Sequence, residues 1–160
     1  MTGRYKDGTS RVAALAATLN LECVINLQGD EPTVKPEDLL RLAEFMRTHH
    51  EYYMVTLAAP FGFGQNYDDR NLVKVTSAGY RALYFSRAPI EGAMKHVGVY
   101  GFHCPIPPRD EQSPLTIAEG LEQMFWLESG VRIGVLKVDE PTYAVDVPED
   151  LKWLETHANA

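Results

Sequence analysis

Val24-Ile25-Asn26-Leu27-Gln28-Gly29-Asp30-Glu31-Pro32 is an apolar run that stops abruptly in a turn carrying carboxylates. Strands buried on both faces of a parallel sheet read as near-continuous apolar runs, and open α/β folds bind ligands beyond the carboxyl ends of such strands. The run therefore predicts a strand over residues 23–27 and sets Asp30 where a metal and a nucleotide would be held. Upstream, Val12, Leu15, Ala16 and Leu19 recur at helical spacing, so a helix over residues 9–19 feeds that strand.

Downstream, Pro36 opens a second helix with Glu37 and Asp38 in its first turn and Leu39, Leu42, Phe45 and Met46 on one face, ending near His49. Residues 53–59 read as a strand, Phe61-Gly62-Phe63-Gly64 as a break, and residues 72–75 and 82–85 as a hairpin around Ser77-Ala78-Gly79. Residues 97–102 alternate as a strand, and Pro105, Pro107 and Pro108 forbid its continuation as a central one. Ser113-Pro114 starts a helix running through Leu115, Leu121, Met124 and Leu127 to Gly130. A strand over 131–138 follows, and residues 143–151 turn into a terminal helix bearing Trp153 and Leu154. Alternating helices and strands with one antiparallel insertion predict an α/β fold: a mixed, mostly parallel sheet flanked by helices.

At 160 residues and 45% hydrophobic content the chain is expected to be one domain over 1–160. A formal charge of -7 without clustered Lys and Arg argues against a nucleic-acid partner, but not against a single nucleotide whose phosphates arrive with a divalent cation. Cys23 and Cys104 lack CxxC spacing, which suggests neither a zinc site nor a disulfide framework and fits a reducing, cytoplasmic setting. No apolar run is long enough to span a bilayer, so no membrane partner is expected.

Six segments, in order, resemble the CMP-Kdo synthetases, the 3-deoxy-manno-octulosonate cytidylyltransferases. They are Gly8-Thr9-Ser10-Arg11; Gln28-Gly29-Asp30-Glu31-Pro32; Val73-Lys74-Val75 leading to Gly79-Tyr80 and residues 83–90; residues 96–102; Ser113-Pro114-Leu115 with Glu119, Leu121, Glu122 and Gln123; and residues 145–151. The resemblance implies a nucleotide-diphospho-sugar transferase type of fold and a reaction in which CTP and Kdo give CMP-Kdo and pyrophosphate. It implies that Asp30 and Asp146 are the catalytic, magnesium-binding pair; that Gln28, Arg87, His96, Tyr100, Glu119 and Gln123 line the sugar-acid pocket; and that Gly8, Thr9 and Arg11 contact the nucleotide. The chemistry suits the residue types. Magnesium takes one or two carboxylates and leaves its other positions to water and phosphate oxygens, and the planar Arg87 fork matches a carboxylate bidentately. Glu119 and Gln123, four apart, would share one face of a continuous helix. Taken singly, the aspartates could merely cap turns and His96 could be a hydrogen-bonded core histidine.

The sequence also departs from that family. Asp7 stands where the family has serine, Thr116 where it has glutamate, Phe125 where it has arginine and Val147 where it has threonine. The family's opening strand and its Gly/Ser-rich, Arg- and Lys-bearing triphosphate loop have no counterpart in the 160 residues, so the first βα units are expected to be lacking and the domain partial. The expectation that follows is cytidylyltransferase activity that is weak or absent unless another chain completes the site. The alternative is a non-catalytic, oligomeric module that holds a sugar acid or nucleotide or pairs through a bare sheet edge. Strand 23–27 should pair on both sides, and losing one neighbour would leave an apolar edge that favours a homo-oligomer.

Overall fold

The computed structural model describes residue 5, residues 8–107 and residues 113–157; Asp7 and Pro108 lie outside them. The elements run α1 (Gly8–Leu19), β1 (Cys23–Leu27), α2 (Pro36–Thr48), β2 (Met54–Ala59), β3 (Lys74–Ala78), β4 (Arg81–Ser86), β5 (Met94–His103), α3 (Pro114–Glu119), α4 (Gln123–Glu128), β6 (Ile133–Lys137) and α5 (Pro148–His157). Apolar periodicity placed nearly all of these correctly.

The six strands form one sheet in the order β1-β5-β2-β6-β4-β3, and an added β5–β3 pairing closes a ring of strands. The long β5 makes this possible. Its carboxyl half lies between β1 and β2, with Phe102 opposite both Val24 and Met54, while its start at Met94 and Lys95 pairs with Val75 and Lys74 of β3. Arg81 of β4 then meets Gly134 of β6. The expectation of a mostly parallel sheet is corrected here. Among the described residues β2–β6 is the one parallel pairing, and β1, β3 and β4 are joined antiparallel. Continuous apolar runs arise because both faces are covered, and burial on both faces does not specify strand direction.

β2 shows this directly, since all six of its residues are buried. Met54 and Ala58 face one core with Tyr100, Phe102, Met124 and Trp126, while Val55, Leu57 and Ala59 face the other with Leu42, Phe45, Met46 and Val97. α2 covers the second core closely enough that a Cβ at Gly101 would come within 2.1 Å of Met46 Sδ. A side chain there would force the helix off the strand.

α1 packs more loosely. It buries Thr9 and Ala16 and exposes Leu15 and Leu19, and it ends where Asn20 takes a left-handed φ of 52° with Leu21 N donating to Ala16 O at 3.0 Å. Asn is among the few non-glycine residues that tolerate that conformation at a helix stop. β1 pairs with β5 alone among the described residues, in keeping with the expectation of a strand with one open edge.

The single helix expected from Ser113 to Gly130 is in fact two. Ser113 caps α3 by accepting from Thr116 N at 3.3 Å, and Gly120 ends it at φ 65° with its N–H bonded to Thr116 O. The chain then turns through Leu121 and Glu122 before α4. Apolar periodicity carries across such a break when both pieces pack on one core, so the glycine was the better guide. Among the described residues no helix is long and apolar enough to cross a membrane.

Candidate active site

A cavity of about 410 Å³ opens beyond the carboxyl end of β1, walled by β5, by the loop into β3 and by the segment that leads into α5. Gln28, Asp30, Arg87, His96, Tyr100, Gln123 and Asp146, named above from the sequence, all line it.

The two aspartates are brought together by backbone. Val145 N donates to Asp30 O at 2.8 Å, so the segment bearing Asp146 runs alongside the turn bearing Asp30. Three residues on, Thr33 Oγ1 accepts from Tyr143 N at 2.7 Å, a second tie between the same segments. Asp150 Oδ2 then accepts from Asp146 N at 2.9 Å and Val147 N at 3.0 Å. That is half of a capping box for α5. The reciprocal half is missing because Val147 has no side-chain oxygen. The Asp146 carboxyl is pushed above its ordinary range by burial and by the negative charge of Asp30 and Asp150, with Arg87 opposing. Asp30 Oδ1 is buried without a hydrogen-bond partner in the protein.

This donor set fits a hard divalent cation. Two carboxylates lining one cavity, one raised in pKa by burial and then by the charge of the other, and one with an orphaned oxygen, would be stabilised by a cation, and magnesium asks for no more than one or two protein carboxylates. Among the described residues no cluster of three or more His, Cys, Asp or Glu could form a closed metal cage. The pair therefore suits a cation that keeps open positions for water or phosphate, and does not suit a fully enclosed one.

His96 is held neutral. Burial pushes its pKa down to about 3, with Lys95 adding to the effect. Its Nε2 lies 2.9 Å from Thr56 Oγ1, and the Thr56 hydroxyl has carbonyl acceptors at Val99 (2.8 Å) and Val97 (3.2 Å). One hydroxyl proton spent on a carbonyl leaves Thr56 to accept from Nε2–H, which makes Nδ1 the acceptor nitrogen. His96 is thus a core histidine and a cavity residue at once, with its ring edge-on to Phe85 at 5.3 Å.

Glu119 and Gln123 do not share a helix face, because Gly120 separates their helices. Gln123 is buried in the cavity wall with Nε2 unpartnered. Glu119 lies outside the lining and works behind it, accepting from Tyr84 OH (3.0 Å), Ser86 Oγ (3.1 Å) and Arg87 N (3.2 Å). It fixes the backbone from which the Arg87 guanidinium extends, and Lys74 Nζ secures the Arg87 carbonyl at 3.3 Å. Gly8, Thr9 and Arg11 are likewise outside the lining. Thr9 is buried and its hydroxyl sits 3.2 Å from both carboxylate oxygens of Glu122, tying α1 to the start of α4, while Arg11 is exposed.

Two cavity residues were not singled out from the sequence. Glu31 is buried, accepts from Gly98 N at 2.6 Å and has its pKa raised chiefly by desolvation. A Cβ on Gly98 would lie 2.8 Å from Gln28 Oε1 and 3.1 Å from Glu31 Oε1, so the bare backbone is what lets both side chains approach. Lys95 is 2% exposed, bonds the carbonyl of Thr142, and has its pKa lowered to about 8 by burial despite Glu31 and Asp146 nearby. The signal in the sequence is a lysine at the opening of an apolar strand.

The chain is similar in sequence and in fold to known proteins. The cytidylyltransferase family matches residues 1–133. The 3-deoxy-manno-octulosonate cytidylyltransferase of Syntrophobacter fumaroxidans is 37% identical over 92% of this chain and 66% of its own length. That of Xanthomonas euvesicatoria is 36% identical over 94% and 68%. The chain thus spans about two thirds of the length of these relatives. The solved structure of a CMP:2-keto-3-deoxy-manno-octonic acid synthetase complexed with CTP superposes with a TM-score of 0.82 at 28% identity, covering 97% of this chain and 69% of that one. A Thermus thermophilus protein described as a mannose-1-phosphate geranyltransferase shares the fold at a TM-score of 0.54 and 15% identity. With the family matching most of its length, relatives above 30% identity over more than nine tenths of it and a shared fold, the chain belongs to the cytidylyltransferase family, in its CMP-Kdo synthetase branch.

Proposed function

We propose that the chain carries the sugar-acid and metal half of a CMP-Kdo synthetase site, for transfer of CMP from CTP to a Kdo-type sugar acid with release of pyrophosphate. The observation that carries this reading is the Val145 N to Asp30 O bond, which sets two aspartates side by side on a cavity also lined by Arg87, His96, Tyr100 and Gln123. In this reading Asp30 and Asp146 hold a magnesium ion, which when bound orients the triphosphate and offsets the charge that develops at the α-phosphorus.

The chain's own residues do the rest. Arg87, with its backbone locked by Glu119, pairs with the sugar-acid carboxylate. His96, neutral at any physiological pH, presents a hydrogen-bonding nitrogen and is not a proton shuttle. Gln123 Nε2 and Gln28 supply the amide contacts that a polyhydroxylated ligand requires. The sugar hydroxyl oxygen forms the new bond to the α-phosphorus and gives up its proton to solvent, while the bond to the pyrophosphate oxygen breaks and its electron pair leaves with the pyrophosphate.

The test is incubation of the purified chain with CTP, Mg2+ and Kdo, reading CMP-Kdo by mass spectrometry and pyrophosphate by a coupled assay. Turnover that disappears in Asp30→Ala is the expected result. Failure of the wild-type chain to turn over CTP, together with no magnesium-dependent CTP binding by calorimetry, would reject the catalytic reading.

A further inference from the structure

Among the described residues the cations that line the cavity are Arg87, partly exposed with Nη1 donating to Arg70 O at 3.1 Å, and Lys95, which is buried. The Lys95 ammonium, with three protons to donate, is bonded among the described residues to the Thr142 carbonyl alone. Glu31 does not close the gap. Its Oε1 is held by Gly98 N at 2.6 Å, and Glu31 and Asp146 act on the ammonium through space.

A nearly fully buried ammonium with donors to spare on a cavity wall costs stability unless a ligand uses them. Charge points the same way. Asp30, Glu31 and Asp146 against Arg87 and Lys95 leave the wall short by one positive charge, and a divalent cation on the aspartates would turn it net positive, ready for an anionic oxygen.

We propose that Lys95 is an anion-binding residue of this cavity, receiving a carboxylate or phosphate oxygen of the ligand on its free ammonium protons. The inference rests on the reading above, that the cavity takes a sugar acid and a nucleotide. It differs from that reading in assigning a contact to a residue outside the set named from the sequence.

Two calorimetric arms identify the source of the anion: Kdo alone, and CTP with magnesium. Lys95→Met keeps the length and removes the charge, and should weaken one arm or both by about tenfold or more. Loss confined to Kdo assigns the carboxylate, and loss confined to CTP the phosphate. Lys95→Arg should recover most of the affinity. Unchanged affinity in a folded Lys95→Met protein would overturn the proposal and leave Lys95 a packing residue. Should Lys95→Met fail to fold, the 13Cε resonance of Lys95 in the wild-type chain decides: a shift on adding ligand supports the contact, and a static resonance rejects it. A wild-type chain that binds neither ligand defeats the underlying reading, and this inference with it.

Discussion

β5 and β1 lie side by side in the sheet, and β5 and the turn that follows β1 line the same cavity, yet the two strands are built differently. β5 is buried from Lys95 to Phe102 and has neighbours along both edges; β1 is at most half-buried and pairs with β5 alone among the described residues. Lys95, His96, Gly98 and Tyr100 therefore sit on a support held from all sides. Asp30 hangs from the end of the thinner strand and depends on the Val145 and Thr33 ties to stay in register with Asp146. The wall built on β5 is thus the better supported one, and the turn bearing Asp30 hangs from the less supported strand. Segments that must accommodate a ligand commonly come from the low end of the stability range.

The sharpest way to break this contrast is a core truncation on β5. Phe102, fully buried between Trp126 and Tyr100, should cost about 3–5 kcal/mol as Phe102→Ala in urea unfolding. A cost below about 1 kcal/mol would mean that β5 is not the better supported side.

Next in size is a pH effect at the same strand. Burial lowers the Lys95 pKa from 10.5 to about 8, so below pH 8 the folded state carries the full penalty of a buried ammonium. Between 8 and 10.5 the unfolded chain holds a proton that the folded chain has released. Stability should therefore rise with pH across that window, by about 3 kcal/mol in all. The slope should vanish in Lys95→Met, so that the difference between wild type and Lys95→Met changes with pH, measured by denaturation at pH 7.5, 9 and 10.

Thr56→Val, which strips His96 Nε2 of its partner within the core, should cost about 1–3 kcal/mol. At the small end, Leu27→Ala on β1, where the leucine is 46% exposed, should stay within about 0.5 kcal/mol. Amide exchange supplies the matching kinetic picture: β1 amides should exchange well before those of β2. Equal protection would show that β1 gains cover in solution that its one ladder does not provide.

Elements with strong periodicity were legible from the chain alone. The α2 stripe of Leu42, Phe45 and Met46 lands in the core, and the hairpin around Gly79 forms as its turn chemistry demands. Strand direction was not legible, because β2 and β5 are apolar on both faces whichever way their neighbours run. The α3–α4 break was missed because Leu115 and Leu121, on either side of Gly120, pack against one core. For the site, ordered motifs led to seven residues that do line one cavity. They did not lead to Glu31 and Lys95, whose importance comes from burial that no local pattern records.

Residue types and their order were thus enough to mark the family and the α/β class, because these depend on short-range pattern and on motifs in a fixed order. The closing of the sheet, the neutrality of His96, the supporting position of Glu119 and the lone ammonium of Lys95 came from the packed structure. Each depends on contacts between segments far apart in the chain, where desolvation and backbone hydrogen bonds set the charge state and reach of a side chain.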